Sequence, residues 1–101
     1  MEGNVPKSFE IFGQTITVVF VDNLARERDV DGEAHHRLNE IRIQKNTNGN
    51  FRTDEQIDET FWHEVTHVIL EKLQYHKLNN DEQFVGRFGS ALQQVIKTSK
   101  Y

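Results

Sequence analysis

The sequence contains no cysteine and only one proline, Pro6, in 101 residues. Without cysteine no disulfide framework can form, and a zinc site would have to use histidine and carboxylate ligands. The longest apolar run, residues 18–21, is far too short to cross a membrane. The first residues show neither the basic nor the apolar part of a secretion signal. These absences predict a cytoplasmic protein that does not enter a membrane.

Positive charge is also scarce, with 12 Lys and Arg against 16 Asp and Glu, a formal net charge of -4. A protein that binds nucleic acid through its backbone needs clustered basic residues, and the densest cluster here is Arg26-Glu27-Arg28. Nucleic acid is therefore not expected as a partner. Apolar residues make up 36% of the chain, seven of them Phe. That content and length predict one globular domain over residues 1–101.

The first half of the chain has the pattern of strands and turns. The predicted strands are residues 9–12, 15–21 and 38–44. Gly13-Gln14 between the first two fits the two-residue loop of a type II′ hairpin. Residues 22–35 are polar and are predicted to form a loop, and residues 46–50 are predicted to form a turn. Because hairpins join antiparallel strands, we expect a small antiparallel sheet.

The second half predicts two amphipathic helices. Thr53 followed by Gln56 is a capping box, and the helix that it starts should end near residues 74–76. Asn80, with Gln83 three residues later, predicts the N-cap of the second helix. The apolar faces comprise Ile57, Phe61, Trp62, Val65, Val68, Ile69 and Leu73 on the first helix, and Phe84, Val85, Phe88, Ala91, Leu92, Val95 and Ile96 on the second. A sheet followed by two helices is an α+β fold.

The first helix carries the sequence His63-Glu64-Val65-Thr66-His67. Residues four apart lie about 40° apart around a helix and one turn apart along it, so both imidazoles can bind one Zn²⁺ ion. Glu64 is not placed to be a ligand. It is instead a candidate general base that takes a proton from a zinc-bound water and passes it to a leaving amine.

A third metal ligand has to come from elsewhere in the chain. Glu82 is the best candidate, because a short connection should bring the start of the second helix beside the first. Gly86 and Gly89 lie on the same helical stripe as Glu82, which indicates that something approaches closely there. Asp81 is an alternative ligand. Glu71 is expected to support a zinc-bound histidine through a hydrogen bond, or to be solvated.

The same two segments resemble the ImmA/IrrE-like metallopeptidases and related small phage-encoded zincins. In that family a helix with the HExxH motif is followed by a helix of the form E-x-x-A-N-x-F-A, whose Glu is the third zinc ligand. That Glu corresponds to Glu82, and Phe88 matches the Phe of the motif. Val85, Gly86 and Gly89 depart from it. The resemblance covers roughly residues 36–97.

The resemblance implies a zincin-like fold and a zinc-dependent peptidase that cuts an unidentified protein substrate, in the host cytoplasm if the chain is phage-encoded. It also implies that an extended peptide pairs with an edge strand running from Ile41 to Gln44. Tyr75 and His76 are considered as donors to the oxyanion, although both are more typical of surface or packing residues.

Two other functional interpretations stay open at this stage. The chain could be a non-catalytic zincin-fold module that binds zinc and a protein partner, or a domain in which zinc is only structural. The intact Glu64 argues against the first. Against the second, three ligands leave a zinc ion with an open fourth position. His35-His36 is interpreted as structural, because adjacent histidines cannot easily share one metal ion. The sequence does not predict an oligomeric state.

Overall fold

Strands and helices are segregated along the chain, with the strands first. The computed structural model describes residues 5–21, 31–47 and 50–101. The strands are β1 (Ser8–Ile11), β2 (Gln14–Val21), β3 (Gly32–His35), β4 (Glu40–Gln44), β5 (Asn46–Thr47) and β6 (Asn50–Phe51). The helices are α1 (Asp54–Lys72), α2 (His76–Asn79) and α3 (Glu82–Thr98), with a 3₁₀ turn over His36–Leu38. The α+β class is therefore confirmed, and none of the helices in these ranges is long and apolar enough to cross a membrane.

The main sheet has four strands in the order β1-β2-β4-β3 and is mixed. β1 pairs with β2 and β3 with β4 in antiparallel fashion, but β2 and β4 are parallel. The predicted antiparallel sheet is wrong for that central pair. The reason is β3, which occupies part of the predicted loop 22–35 and reverses the chain before β4. Its sequence, Gly-Glu-Ala-His, lacks the apolar alternation by which a strand is recognised.

The strand from Ile41 to Gln44 lies inside the sheet, between β2 and β3. The prediction that it is the edge strand is therefore wrong. In the described part of the chain the edges of the sheet are β1 and β3. Ile41 and Ile43 are fully buried, as expected of a central strand with helices on one face.

The first hairpin turns at Phe12-Gly13 rather than at Gly13-Gln14. Ile11 pairs with Gln14, and both Phe12 (φ 50°) and Gly13 (φ 77°) have positive φ. Two positive φ values make a type I′ turn, whose twist matches that of the flanking strands, and not the predicted type II′ turn. Glycine takes the second position without steric strain.

One face of the sheet packs against α1. The core residues are Ile16, Val18, Ile41, Ile43, Ile57, Phe61, Val65 and Val68. Phe61 also meets Phe9 of β1 edge to face, with ring centroids 6.0 Å apart. Most of the predicted apolar face is buried or half-buried, but Leu73 lies beyond the helix and is exposed, and Leu70, which was not assigned to that face, is buried. Because one side of α1 is held against the sheet, the opposite side of the helix faces the candidate functional site described below.

The capping box at the start of α1 is confirmed. The Thr53 hydroxyl accepts from the Gln56 backbone N–H at 3.1 Å, and the Gln56 side chain accepts from the Thr53 N–H at 2.8 Å. At α3 the N-cap is Asp81, whose carboxylate accepts from the Phe84 N–H at 3.0 Å. The prediction of Asn80 is wrong by one residue, because the unpredicted turn α2 occupies the connection between the long helices.

Helix α3 packs closely against α1. Val85 and Gly89 are its buried residues. A Cβ atom on Gly89 would lie 3.0 Å from the His63 Cα and 3.1 Å from the Trp62 carbonyl oxygen, so only glycine allows this approach. A Cβ atom on Gly86 would meet nothing within 4 Å. Close helix contact therefore explains one of the two glycines on the stripe.

Candidate metal centre

Two histidines of α1 and one carboxylate of α3 converge at one point. His63 Nε2 lies 3.1 Å from Glu82 Oε2, and His67 Nε2 lies 3.2 Å from Glu82 Oε1. The two imidazole centroids are 5.2 Å apart. The ligand atoms of all three side chains lie within 4.8 Å of one another, and no other such cluster is found in the described ranges. Asp81, the alternative ligand, is used as the cap of α3.

These separations suit a small four-coordinate cation. Ligand bonds of about 2.0–2.1 Å in tetrahedral geometry place neighbouring ligand atoms roughly 3.4 Å apart. Each imidazole lies near that distance from a different oxygen of the Glu82 carboxylate, at 3.1 and 3.2 Å. These separations also equal ordinary hydrogen-bond lengths. The protonation of the imidazoles therefore decides whether each contact is a hydrogen bond to Glu82 or a pair of ligand atoms that can hold a cation.

A chain of hydrogen bonds sets the tautomer of His67. The Glu71 carboxylate can only accept when ionised, so the Asn79 Nδ2 that lies 3.4 Å from it is the donor. Asn79 Oδ1 then faces His67 Nδ1 at 2.6 Å, and that nitrogen has to carry the proton. A neutral His67 consequently presents the lone pair of Nε2 to the Glu82 carboxylate. Two acceptors facing each other repel, and a cation between them removes the repulsion.

Glu64 lies on the neighbouring face of α1 and is only 6% exposed. Its carboxylate accepts a hydrogen bond from the backbone N–H of Ala34 in β3. Burial is the main cause that raises the pKa of Glu64 to about 8, and the nearby charges of Glu82 and Glu33 add to it. The site thus contains a carboxyl group whose ionisation responds to any charge placed beside it.

Gly32 allows β3 to approach α1 closely enough for this hydrogen bond. A Cβ atom on Gly32 would lie 2.5 Å from Thr60 Cγ2, 3.1 Å from the Arg42 carbonyl oxygen and 3.3 Å from Glu64 Cγ. Any larger residue would push the strand away from the helix. Gly32 lies in the segment that was predicted to be a loop, and the sequence did not single it out, because its function depends on a helix that is distant in sequence.

Arg52 ties the elements around the site together. Its guanidinium donates to the Gln44 carbonyl at 2.8 Å and to the Thr60 hydroxyl at 2.6 Å. It also donates to the carbonyls of Asp31 at 3.4 Å and Gln56 at 3.2 Å. One side chain therefore joins the ends of β3 and β4 to the first turns of α1. Sequence reasoning did not single it out, because nothing local marks these partners.

The three candidate ligands line a groove of about 1150 Å³. The β3 segment, β6 and α1 form its walls. Phe51 at the end of the hairpin lines it and is 81% exposed. The groove is open toward solvent, so a ligand that extends beyond the three candidate residues can lie in it.

His36 is a groove residue that the sequence analysis treated as structural. Burial lowers its pKa, and the Glu71 carboxylate 4.0 Å away offsets part of that effect. Glu71 also reaches His67 through the side chain of Asn79. Tyr75 and His76 are not among the residues that line the groove. The structure does not place them where an oxyanion would form.

No known protein family, curated protein or solved structure matches this chain.

Proposed function

We propose that the protein is a zinc-dependent metallopeptidase. The observation that carries the proposal is the convergence of His63, His67 and Glu82 in a groove that also contains the buried Glu64. Two imidazoles and one carboxylate form the ligand set of many catalytic zinc sites, which keep a fourth position open for water or substrate. Zinc held there would polarise the scissile carbonyl and acidify a water molecule. The HExxH pattern and the zincin resemblance agree with this assignment.

Glu64 acts as the general base in this proposal. It accepts a proton from the water that attacks the carbonyl carbon, and it returns the proton to the leaving nitrogen as the C–N bond breaks. A base has to be ionised, and a cation at the three ligands lowers the pKa of Glu64 from the raised value of the metal-free site. The Ala34 N–H holds the carboxylate in place by bonding to its charged form.

The substrate is proposed to be an extended peptide beside β3 rather than beside β4. β3 forms an edge of the sheet, and Asp31 to Ala34 line the groove. The Ala34 N–H points away from β4, since it bonds to Glu64 on α1. Because Glu64 occupies that N–H, an added strand would pair with the other outward-facing backbone groups of β3, with its own backbone close to the base.

Zinc stoichiometry and peptide cleavage, measured on the same preparations, test the proposal. The parent should retain one zinc ion per chain after dialysis and should cut members of a random peptide library read by mass spectrometry. Glu64→Gln should retain the metal and lose cleavage by at least about a hundredfold. Glu55→Gln, an exposed acid in the first turn of α1, is the matched control and should behave as the parent.

Cleavage that survives in Glu64→Gln would contradict the role of the base. A parent that binds no zinc would contradict the whole proposal. Tight, stoichiometric zinc with no cleavage of any peptide would instead favour a non-catalytic module that binds zinc and a protein partner.

A further inference from the structure

One end of the groove carries two exposed carboxylates and an exposed aromatic ring. These belong to Asp31, Glu59 and Phe51, which all line the groove, and we call them the acidic end. The Arg52 guanidinium donates to the Asp31 carbonyl at 3.4 Å and to the Gln56 carbonyl at 3.2 Å. Gln56 lies three residues before Glu59 on α1, and Phe51 directly precedes Arg52. The three side chains therefore start from backbone that surrounds one guanidinium.

The two carboxylates of the acidic end lie on opposite sides of the groove. Asp31 comes directly before β3, and Glu64 marks the side of α1 that faces β3, because its carboxylate bonds to the Ala34 N–H. At 100° per residue, Glu59 lies about 140° around α1 from Glu64. A side chain that lies in the groove between α1 and β3 would therefore have one carboxylate on each side.

The positive charge near these carboxylates is already engaged by the protein. In the described part of the chain, Arg52 is the one lysine or arginine that lines the groove, and its terminal nitrogens donate four hydrogen bonds to protein oxygens. Glu33 also lines the groove, but Arg42 donates to its carboxylate at 3.2 Å. Within the described ranges no ion pair involves the carboxylate of Asp31 or Glu59. A basic ligand side chain would therefore meet two carboxylates that no cation neutralises.

We propose that the acidic end binds a lysine or arginine side chain of the peptide substrate. The inference rests on the proposed peptidase function and names the class of peptide that the groove selects. The apolar stem of the basic side chain packs on the ring of Phe51, which is 81% exposed and so has room for a ligand. Its charged group lies between Asp31 and Glu59, and the same ring face attracts a cation. Both parts of a basic side chain are therefore matched at one place.

Helix geometry also predicts where the basic residue lies relative to the cut. Glu59 precedes the candidate ligand His63 by four residues, so it lies about one turn, or about 6 Å, along the axis of α1. An extended peptide advances about 3.3 Å per residue. The lysine or arginine should therefore lie about two residues from the peptide bond over the metal centre.

Cleavage of matched peptide pools by the zinc-loaded full chain tests the preference. Each pool fixes one position as lysine, norleucine or glutamate and leaves its neighbours random, and mass spectrometry locates the cut. The lysine pool should be cut about three- to tenfold faster than the norleucine pool, as expected of two exposed ion pairs, and the glutamate pool should be cut most slowly. The advantage of lysine over norleucine should shrink at high salt, because exposed charges are screened.

Variants of the acidic end separate the charge from the ring. Glu59→Gln should reduce the preference for lysine about threefold, and Glu59→Lys should reverse it in favour of glutamate. Phe51→Ala should slow the lysine and norleucine pools alike, because both lose the packing of an apolar stem, and should leave the salt dependence as it is. Glu55→Gln is the control, since Glu55 is exposed on α1 and does not line the groove, and its preference should equal that of the parent.

Binding measurements distinguish a failure of this inference from a failure of the proposed peptidase function. Fluorescence anisotropy of labelled pools on Glu64→Gln, with and without zinc, measures affinity without cleavage. The lysine pool should bind about three- to tenfold more tightly than the norleucine pool in both states, because none of the residues at the acidic end is a candidate metal ligand. A parent that neither binds zinc nor cuts any pool overturns the peptidase function alone, provided that the lysine pool still binds more tightly. Equal binding of the lysine and norleucine pools, or a preference for lysine that Glu59→Lys leaves intact, overturns the inference.

Discussion

Replacing Glu64 with Gln should make the metal-free protein more stable at neutral pH. The folded-state pKa of Glu64 is raised from 4.5 to about 8, mainly by burial. Between those values the folded state holds a proton that the unfolded state has released. The contribution of protonated Glu64 to the free energy of unfolding is therefore fully present below pH 4.5. It is lost as the pH rises toward 8, by about 1.4 kcal/mol per pH unit. At pH 7 the loss amounts to about 3 kcal/mol. Gln keeps the size and the hydrogen-bond acceptor but does not ionise, so the free energy of unfolding of the variant does not fall in this way as the pH rises.

Urea unfolding in the presence of a chelator, at several pH values between 5 and 8, measures the effect. The stability of Glu64→Gln minus that of the parent should grow with pH across this range and level off above pH 8. Taking the difference removes the contribution of the ionisable groups that both proteins share. With zinc bound the difference should shrink, because the cation stabilises the ionised carboxylate. A difference that does not change with pH in the metal-free protein would refute the argument that Glu64 is buried and protonated.

Three further predictions concern the surroundings of the site. Gly32→Ala should lower the free energy of unfolding by about 1–3 kcal/mol, since its Cβ meets Thr60 Cγ2, and Thr60→Ser in the same chain should restore part of it in urea unfolding. If the double variant is no more stable than Gly32→Ala, that contact is not the cause. Asn79→Ala should weaken zinc binding about 10–100-fold in a competition titration by freeing the tautomer of His67, and an unchanged affinity would contradict the hydrogen-bond chain. Glu82→Ala should weaken zinc binding more strongly than Asp81→Ala does in the same titration, and equal losses would contradict the choice of ligand.

The parts of the fold that were predictable depend on local chemistry. The capping box at Thr53 and the apolar face of α1 follow from residues a few positions apart, and both are confirmed. β3 and the parallel pairing of β2 with β4 depend on contacts between distant segments. Four residues with little apolar character form β3 because β4 pairs with them on one side and α1 packs closely on the other. No local sequence pattern predicts either β3 or the parallel pairing of β2 with β4.

The residues of the candidate site also fall into two groups: those that the local sequence predicts and those that depend on distant segments. His63, Glu64 and His67 could be recognised because helical periodicity places them, and the short connection made Glu82 the leading third ligand. The structure brings those ligands together. Asn79, Ala34 and Gly32 were missed. Asn79 reaches His67 only because the turn α2 folds back, and the other two act through backbone position. Whether the site binds zinc and cuts peptides stays a prediction.

The placement of the ligands on one helical hairpin has a consequence for how the protein folds. His63 and Glu82 are separated by 19 residues, so their encounter closes a short loop. The base is positioned by Ala34, which arrives only when the β2–β4 pair and β3 have assembled across a longer stretch of chain. Contacts between near neighbours form faster than those that close long loops. The helical hairpin that brings the three candidate ligands together can therefore form early in folding, before the sheet has delivered the backbone partner of Glu64 and the wall of the groove.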